Sequence, residues 1–413
     1  MYDFANSGYT TVVITAVFNA YFVSEIAKNT AGATLAWTAA LAASYIAIIV
    51  TAPLIGAYAD AYAAKKKLLA MTTAGCVVFT AALALAGPGD LWLAIAFVVL
   101  SNFFFGTGEN LIAAFLPELA RENAMGRISG WGWSFGYCGG LVALGLCLAY
   151  VDWAQGRGLP AAHFVPVTML ITAAFFALAS LPAFFFLRER ARPQPHTANV
   201  LREASARLKD TLRHASRYAD LRRFLIAVVF YQAGIQSVVA LAAVYAQQVM
   251  GFTTRDTIVL ILVVNVTAAL GAFAFGHLQD RLGHVRTLVL TMAGWIGAVI
   301  LASLARDAPL FWAAANLVGI CLGSSQSAAR ALVGYLSPRE RSAEFFGLWG
   351  LAVKLSAVLG PLTYGLVTWL TSGNHRLAIL LTGTYFVAGL VIVARVDVRR
   401  GRSAALAATP AAP

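Results

Sequence analysis

Residues 276–286 read "GHLQDRLGHVR" and residues 56–66 read "GAYADAYAAKK". Laid over each other at a shift of 220, they match Gly56 to Gly276 and Asp60 to Asp280. Both sit between long apolar runs, where a short polar connection joins two candidate membrane helices. At a shift of 221, Pro117 of "LPELAR" meets Pro338 of "SPRER", and Gly139 of "YCGG" meets Gly360 of "VLGP". So long a period in an apolar chain is not a solenoid. It is the pattern of two parallel helical halves related by an axis along the membrane normal.

Composition agrees. Only 12% of the 413 residues are charged and 60% are apolar, whereas soluble domains carry roughly a quarter charged residues. A spanning helix needs ~20 mostly apolar residues. Twelve such stretches occur, at about 5–27, 34–58, 67–87, 91–117, 128–151, 164–187, 223–249, 256–278, 286–305, 309–335, 344–371 and 376–395. The fold expected is an all-α polytopic membrane protein with two pseudo-symmetric six-helix halves, 1–187 and 223–396. A cytoplasmic linker, 188–222, would join them, and a disordered tail, 397–413, would follow.

The charges fix the orientation. Of 30 Lys and Arg, Lys28, Arg157, Arg255, Arg306 and Arg376 fall in loops of one side, and Arg330 and Lys354 fall inside spans. The other 23 lie on the opposite side, which the positive-inside rule makes cytoplasmic, together with both termini. The net charge of +12 is therefore mostly a topology signal, and nucleic-acid binding is not expected. Cys76, Cys138, Cys147 and Cys321 lie in apolar segments without metal or redox spacing. With no H-E-x-x-H and no G-x-x-x-x-G-K-[ST], an enzyme or an ATP-driven pump is not expected, nor any cofactor or metal.

The repeated loop resembles the motif between spans two and three, and eight and nine, of the major facilitator superfamily. In the first half it is degraded, with Ala61 and Ala63 in place of the Arg and the second Gly. "YDFANSGY" (2–9), "AAFLPEL" (113–119), "SGWGWSFGYCGG" (129–140), "GSSQSAARAL" (323–332) and "EFFGLWGLAVKLSAVLGPL" (344–362) are similar to one branch of it, the UMF1 family. That branch includes the autophagy-linked vacuolar amino-acid effluxers of fungi. Its members carry residues ahead of the Tyr–Asp pair, which here follows Met1 directly. The resemblance implies a secondary transporter in which spans one, four, seven and ten line a central cavity. It also implies a gating role for Asp60 and Asp280.

Periodicity marks candidate site residues on those spans. Asn316, Gly319, Gly323, Gln326 and Arg330 form a polar, small-residue stripe on span ten, and Asn102, Gly106, Glu109 and Ala113 form one on span four. Gln232 and Gln236 are one turn apart on span seven, and Asp3, Ser7 and Thr10 share a face of span one beside Asn6. Glu109, Arg330 and Lys354 each cost roughly 2.5–3.5 kcal/mol at a helix centre, so each needs a partner or a wet cavity. Arg330 is the first candidate for a substrate carboxylate and Lys354 the second. Glu109 and Asp3 are candidates for a substrate amine or a coupling proton, and Asn6, Ser7, Asn102, Gln232, Gln236 and Gln326 for orienting the solute. Plainer roles stand beside these: a helix cap for Asp3, an ion pair between halves for Glu109 and Arg330, packing for Lys354. Asp60, Asp280, Arg281, Pro117, Pro338, Gly139, Gly360 and Pro361 are the candidate gating positions.

The partners expected are a small polar or zwitterionic solute, protons and the lipid bilayer, for a monomer in a bacterial inner membrane. Two alternatives stay open: export of lipophilic solutes, and a non-transporting receptor or scaffold working through the 188–222 linker.

Overall fold

The computed structural model describes residues 1–28, 32–190 and 218–407. Within them, twelve helices are long and apolar enough to cross a membrane. Spans 1 to 6 are Tyr2–Ile26, Ala33–Ala61, Lys65–Leu85, Leu91–Leu119, Glu122–Gln155 and Ala161–Phe186. Spans 7 to 12 are Ala219–Met250, Arg255–Leu282, His284–Leu304, Ala308–Leu336, Arg339–Leu370 and His375–Ala394. The linker helix expected in 188–222 falls outside the described residues except at its ends, where Ala219 already begins span 7.

The chain groups into two compact units whose borders differ from those of the two sequence halves. One unit comprises Met1–Thr51, Ala64–Ile112 and Phe135–Arg190. The other comprises Ala52–Ala63, Ala113–Ser134 and the described residues from 218 onward. Spans 2, 4 and 5 thus supply residues to both.

In the first unit, span 1 answers for its own polarity. Its hydroxyls turn back onto its backbone: Ser7 donates to the Asp3 carbonyl (2.8 Å), Thr11 to that of Ser7 (2.9 Å) and Thr15 to that of Thr10 (3.0 Å). The helix winds wide, in π-helical form, over Thr10–Ala16 and Phe22–Ile26. Such stretches are rare and gather at functional sites. Glu189 grips the start of span 3, its two oxygens accepting from the Lys65 and Lys66 backbone N–H groups at 2.9 and 3.0 Å. A helix N-terminus has four donors without intrahelical partners and a positive dipole end, so a carboxylate is suited to both.

In the second unit, span 8 packs along span 10 and span 7 lies against spans 11 and 12. Gly319 and Gly323 belong to the first of these contacts. A Cβ on Gly323 would stand 1.8 Å from the Ala268 carbonyl oxygen, and one on Gly319 1.9 Å from the Thr267 hydroxyl. These two members of the span 10 stripe therefore serve close helix packing with span 8. Gly323→Ala is expected to lower the melting temperature in detergent, at a cost toward the upper end of the ~1–3 kcal/mol typical of overpacking, because backbone must move. Gly297→Ala, whose Cβ would meet only a Leu317 methyl at 3.9 Å, is the control. It is expected to be neutral or slightly stabilising.

The tail corrects an expectation. Val398–Ala407 is a helix, with Gly401, Arg402 and Ala405 buried. Asp397 starts it by accepting the Arg400 backbone N–H at 3.0 Å. Ten residues seldom hold a helix alone; its packing supplies the rest.

Candidate functional site

Asp60 and Asp280 do the same thing at two places in the second unit. The helical part of span 5 begins at Met125 and that of span 11 at Ser342. Asp280 accepts the backbone N–H groups of Gly126 (2.8 Å) and Arg127 (3.0 Å), the second and third residues of the former. Asp60 accepts those of Ala343 (3.1 Å) and Glu344 (2.8 Å), the second and third of the latter. Each carboxylate spends both oxygens on orphan donors at a positive helix end. Asp60 is only 2% exposed, whereas Asp280 is half-buried.

Glycines let the backbones meet there. A Cβ on Gly56 would lie 2.2 Å from the Ala343 carbonyl oxygen, and one on Gly276 2.8 Å from that of Gly126. One on Gly347 would lie 2.5 Å from the Ala52 carbonyl oxygen, and one on Gly130 2.5 Å from that of Ala272. Spans 2 and 8 thus correspond at a shift of 220, while spans 5 and 11 correspond at 217. That corrects the shift of 221 read through Gly139 and Gly360. In this register Lys354 has Tyr137 as its counterpart.

Arg330 lies beside this clasp, buried in span 10. Its Nε donates to the Ser129 hydroxyl (3.1 Å) and its Nη2 to the Ser129 carbonyl oxygen (2.9 Å). The Ser129 hydroxyl in turn donates to the Ser327 carbonyl oxygen (2.8 Å), and the guanidinium carbon stands 5.5 Å from the Trp133 ring centroid. Gln279, next to Asp280, donates to the Ala328 carbonyl oxygen (3.0 Å) and lies 2.8 Å from Nδ1 of His284. Span 10 is therefore joined to the starts of spans 5 and 9 by buried polar side chains. Pro117 lies against Gly334 of span 10, at 3.4 Å from the position of a Cβ there. Pro338 is buried immediately before the turn that opens span 11, and Arg281 is exposed in the last turn of span 8.

Higher on span 10, Gln326 and Gln232 form an amide pair, Gln232 Nε2 donating to Gln326 Oε1 at 2.7 Å. Gln232 is fully buried, while Gln236 and Lys354 are half-buried. Gly360 packs on the Ala233 carbonyl of span 7, 2.1 Å from where a Cβ would be, and Pro361 follows it inside span 11.

The first unit holds the other candidates. Asn102 is buried and donates to the Ser44 hydroxyl at 2.6 Å, tying span 4 to span 2. Gly139 packs on the Phe4 carbonyl of span 1, 2.0 Å from where a Cβ would be. Gly139 and Gly360 thus serve helix packing, whatever part those helices play in gating. Asn6 is buried; Asp3, Ser7 and Glu109 are half-buried. Asp3 and Glu109 both lie within electrostatic reach of the Tyr2 hydroxyl, which bonds Thr73 at 2.7 Å. Sequence reasoning passed over Tyr2, Ser129 and Gln279. Tyr2 opens the quoted "YDFANSGY", and Gln279 directly precedes the motif aspartate. Ser129 opens the quoted "SGWGWSFGYCGG". Among the described residues, no group of three His, Cys, Asp or Glu side chains is placed to hold a metal ion.

Twelve spans in a repeated arrangement with this pair of capped helix ends define a major facilitator superfamily transporter. Solved structures share the fold. The human organic anion transporter MFSD10 superposes with a TM-score of 0.74 at 15% identity, covering 95% of this chain and 97% of that one. The fucose:proton symporter FucP of E. coli superposes with a TM-score of 0.72 at 14% identity, covering 96% and 98%.

Within that class, the family model for vacuole effluxers of the Atg22-like kind matches residues 20–406, and the chain belongs to that family. The MFS-type transporter YxiO of Bacillus subtilis is 27% identical over 404 residues, covering 95% of this chain and 92% of the relative. Autophagy-related protein 22 of Kluyveromyces lactis is 26% identical over 295 residues, which cover 67% of this chain and 59% of the yeast protein. The chain is an integral membrane transport protein and not an enzyme.

Proposed function

We propose that this protein is a secondary active transporter working by alternating access, and that its solute is small and polar or zwitterionic, with amino acids as the first class to test. The observation that carries the reading is the matched pair of carboxylate clasps. The hydrogen bonds that Asp60 and Asp280 accept from helix-end N–H groups can be broken and remade in a cycle, at ~1.5–3 kcal/mol for each bond to a charged group. In the second unit Arg330 and Lys354 are candidates for a solute carboxylate; in the first, Asp3 and Glu109 are candidates for an amine or a transported proton. The excess of Lys and Arg on one side supports a cytoplasmic position for the clasps and both termini, and the Bacillus relative supports a bacterial inner membrane.

The test is a thermal-shift screen of purified protein with amino acids, dipeptides, organic acids, sugars and amphiphilic cations. A ligand at 100 times its dissociation constant adds about 2.7 kcal/mol to the folded state. The expected result is stabilisation by at least one amino acid, followed by pH-driven flux of that solute in proteoliposomes. Stabilisation by amphiphilic cations alone would replace this reading with export of lipophilic solutes.

A further inference from the structure

We propose that the C-terminal helix, Val398–Ala407, is a strap that holds the clasp shut by bridging the connection between spans 4 and 5, the start of span 7 and the end of span 10. This rests on the alternating-access reading and adds a regulatory element to it.

Asp220, in the first turn of span 7, is 2% exposed and faces the strap. It takes both Nε and Nη2 of Arg400, at 2.6 and 2.7 Å, and the Asp397 backbone N–H at 3.0 Å. Arg223 completes its shell at 3.1 Å. The hydrogen-bonded carboxylate also raises the pKa of Arg400 above its ordinary value.

Two residues on, and so on another face of the helix, Arg402 is buried, although arginine almost never is without a partner. It pairs with Glu122, donates to the Tyr335 carbonyl oxygen at 3.0 Å, and lies 5.2 Å from the centroid of the Tyr335 ring. Between the two arginines, Gly401 fits against Asp220 and Leu336, at 3.1 and 2.7 Å from where a Cβ would be.

These partners lie next to the clasp. Glu122 is four residues before Gly126, whose N–H binds Asp280. Tyr335 packs on His284 at 4.8 Å between ring centroids, and His284 meets Gln279, the neighbour of Asp280. Glu122 belongs to the first sequence half and Tyr335 to the second, while Asp220 lies in the first turn of span 7. A helix of ten residues is a rigid bar ~15 Å long. While it is docked, the 4–5 connection cannot part from spans 7 and 10. Its charged hydrogen bonds therefore favour the clasped state, and they must break when the clasp opens.

The test reads clasp opening directly, with no solute needed. Ala120 is 6% exposed in a cluster with Leu116, Met125 and Ala331. A thiol placed there by Ala120→Cys, with the exposed Cys138 changed to Ala, reports opening by its rate of maleimide labelling in the purified full-length protein. Glu122→Gln, which weakens one charged hydrogen bond, is expected to speed labelling about tenfold; Arg402→Gln, which also loses the Tyr335 bond, and truncation after Asp397, which also loses both Arg400 bonds, are expected to speed it more. The exchange of Glu122→Arg with Arg402→Glu is expected to label more slowly than the Arg402→Gln protein, since it restores the pair but not the bond to the Tyr335 carbonyl oxygen. Arg399→Gln, at an exposed position of the same helix, should change nothing.

Unchanged labelling in the strap variants, with acceleration in Asp60→Asn, overturns the strap and leaves alternating access standing. Unchanged labelling in all of them overturns both. A charge-exchanged protein that labels as fast as the Arg402→Gln protein overturns the Glu122–Arg402 contact as the latch. Melting temperature and gel filtration on every variant separate opening from unfolding, and faster labelling that tracks lost stability alone also overturns the strap.

Discussion

Arg330→Ala is expected to reduce solute flux in proteoliposomes by roughly 100-fold while the protein still inserts and elutes as a single species. Two hydrogen bonds from a charged donor, each worth ~1.5–3 kcal/mol, join Arg330 to Ser129. Their combined loss, taken conservatively at about 3 kcal/mol, corresponds to two orders of magnitude in a conformational ratio. The guanidinium reaches a side-chain oxygen and a main-chain oxygen of the same residue with one planar fork. Arg330→Lys should therefore restore little, because an ammonium is a point donor on a flexible stem. Ser129→Ala separates two roles for this arginine. If Arg330 works through the span 5 contact, Ser129→Ala should cost about tenfold in flux, since the same hydroxyl also bonds the Ser327 carbonyl. If Arg330 works by holding a substrate carboxylate, Ser129→Ala should leave flux nearly unchanged and Arg330→Ala should also abolish ligand-induced stabilisation. A near-normal flux in Arg330→Ala removes the residue from both roles.

The difference between what the chain announced and what the structure shows is physical in each case. The twelve spans were legible because lipid demands ~20 apolar residues at a time, and the repeat was legible through Asp60 and Asp280. The register of spans 5 and 11 was not. From Pro117 to the helix start at Met125 is eight residues, but from Pro338 to Ser342 is four. The prolines align at 221 and the helices at 217, and a four-residue difference in a connection leaves no trace in hydropathy.

Polar periodicity marked faces of spans 4 and 10 that are buried or half-buried, but it could not tell a cavity from a neighbouring helix. Gly319 and Gly323 face the backbone of span 8, and Asn102 faces Ser44, for the same reason that they avoid lipid: backbone and amide groups need partners there. The sequence of 397–413 suggests no structure because a short segment rich in alanine and arginine has no core of its own. Its stability comes from Asp220, Glu122 and Tyr335, which are far away in sequence.

The second large effect is an asymmetry between the two clasps. Asp60→Asn is expected to open the clasp end far more than Asp280→Asn, although the geometry at the two helix ends is nearly the same. Asparagine has one acceptor oxygen where aspartate has two. In each variant one backbone N–H would face an amide NH2 group, and the helix dipole would lose its counter-charge. Burial separates them. At Asp60 the abandoned donor has no access to water, so it bears a desolvation cost of ~1–3 kcal/mol. At Asp280, half-exposed and joined to the first turn of span 5 at its edge, water can replace the lost acceptor. Maleimide labelling of a thiol at position 120 should accelerate roughly 30-fold in Asp60→Asn, equivalent to about 2 kcal/mol, and only a fewfold in Asp280→Asn. Because the two carboxylates accept from different helix ends, their free energies should add within ~0.5 kcal/mol in the double variant. Equal acceleration in both single variants would mean that helix-dipole charge, not burial, decides the strength of each clasp. A double variant much faster than the product of the singles would mean that the two clasps hold one cooperative gate. In that case each carboxylate stabilises the helix end gripped by the other, and the degraded motif of the first half is kept functional by the intact one of the second.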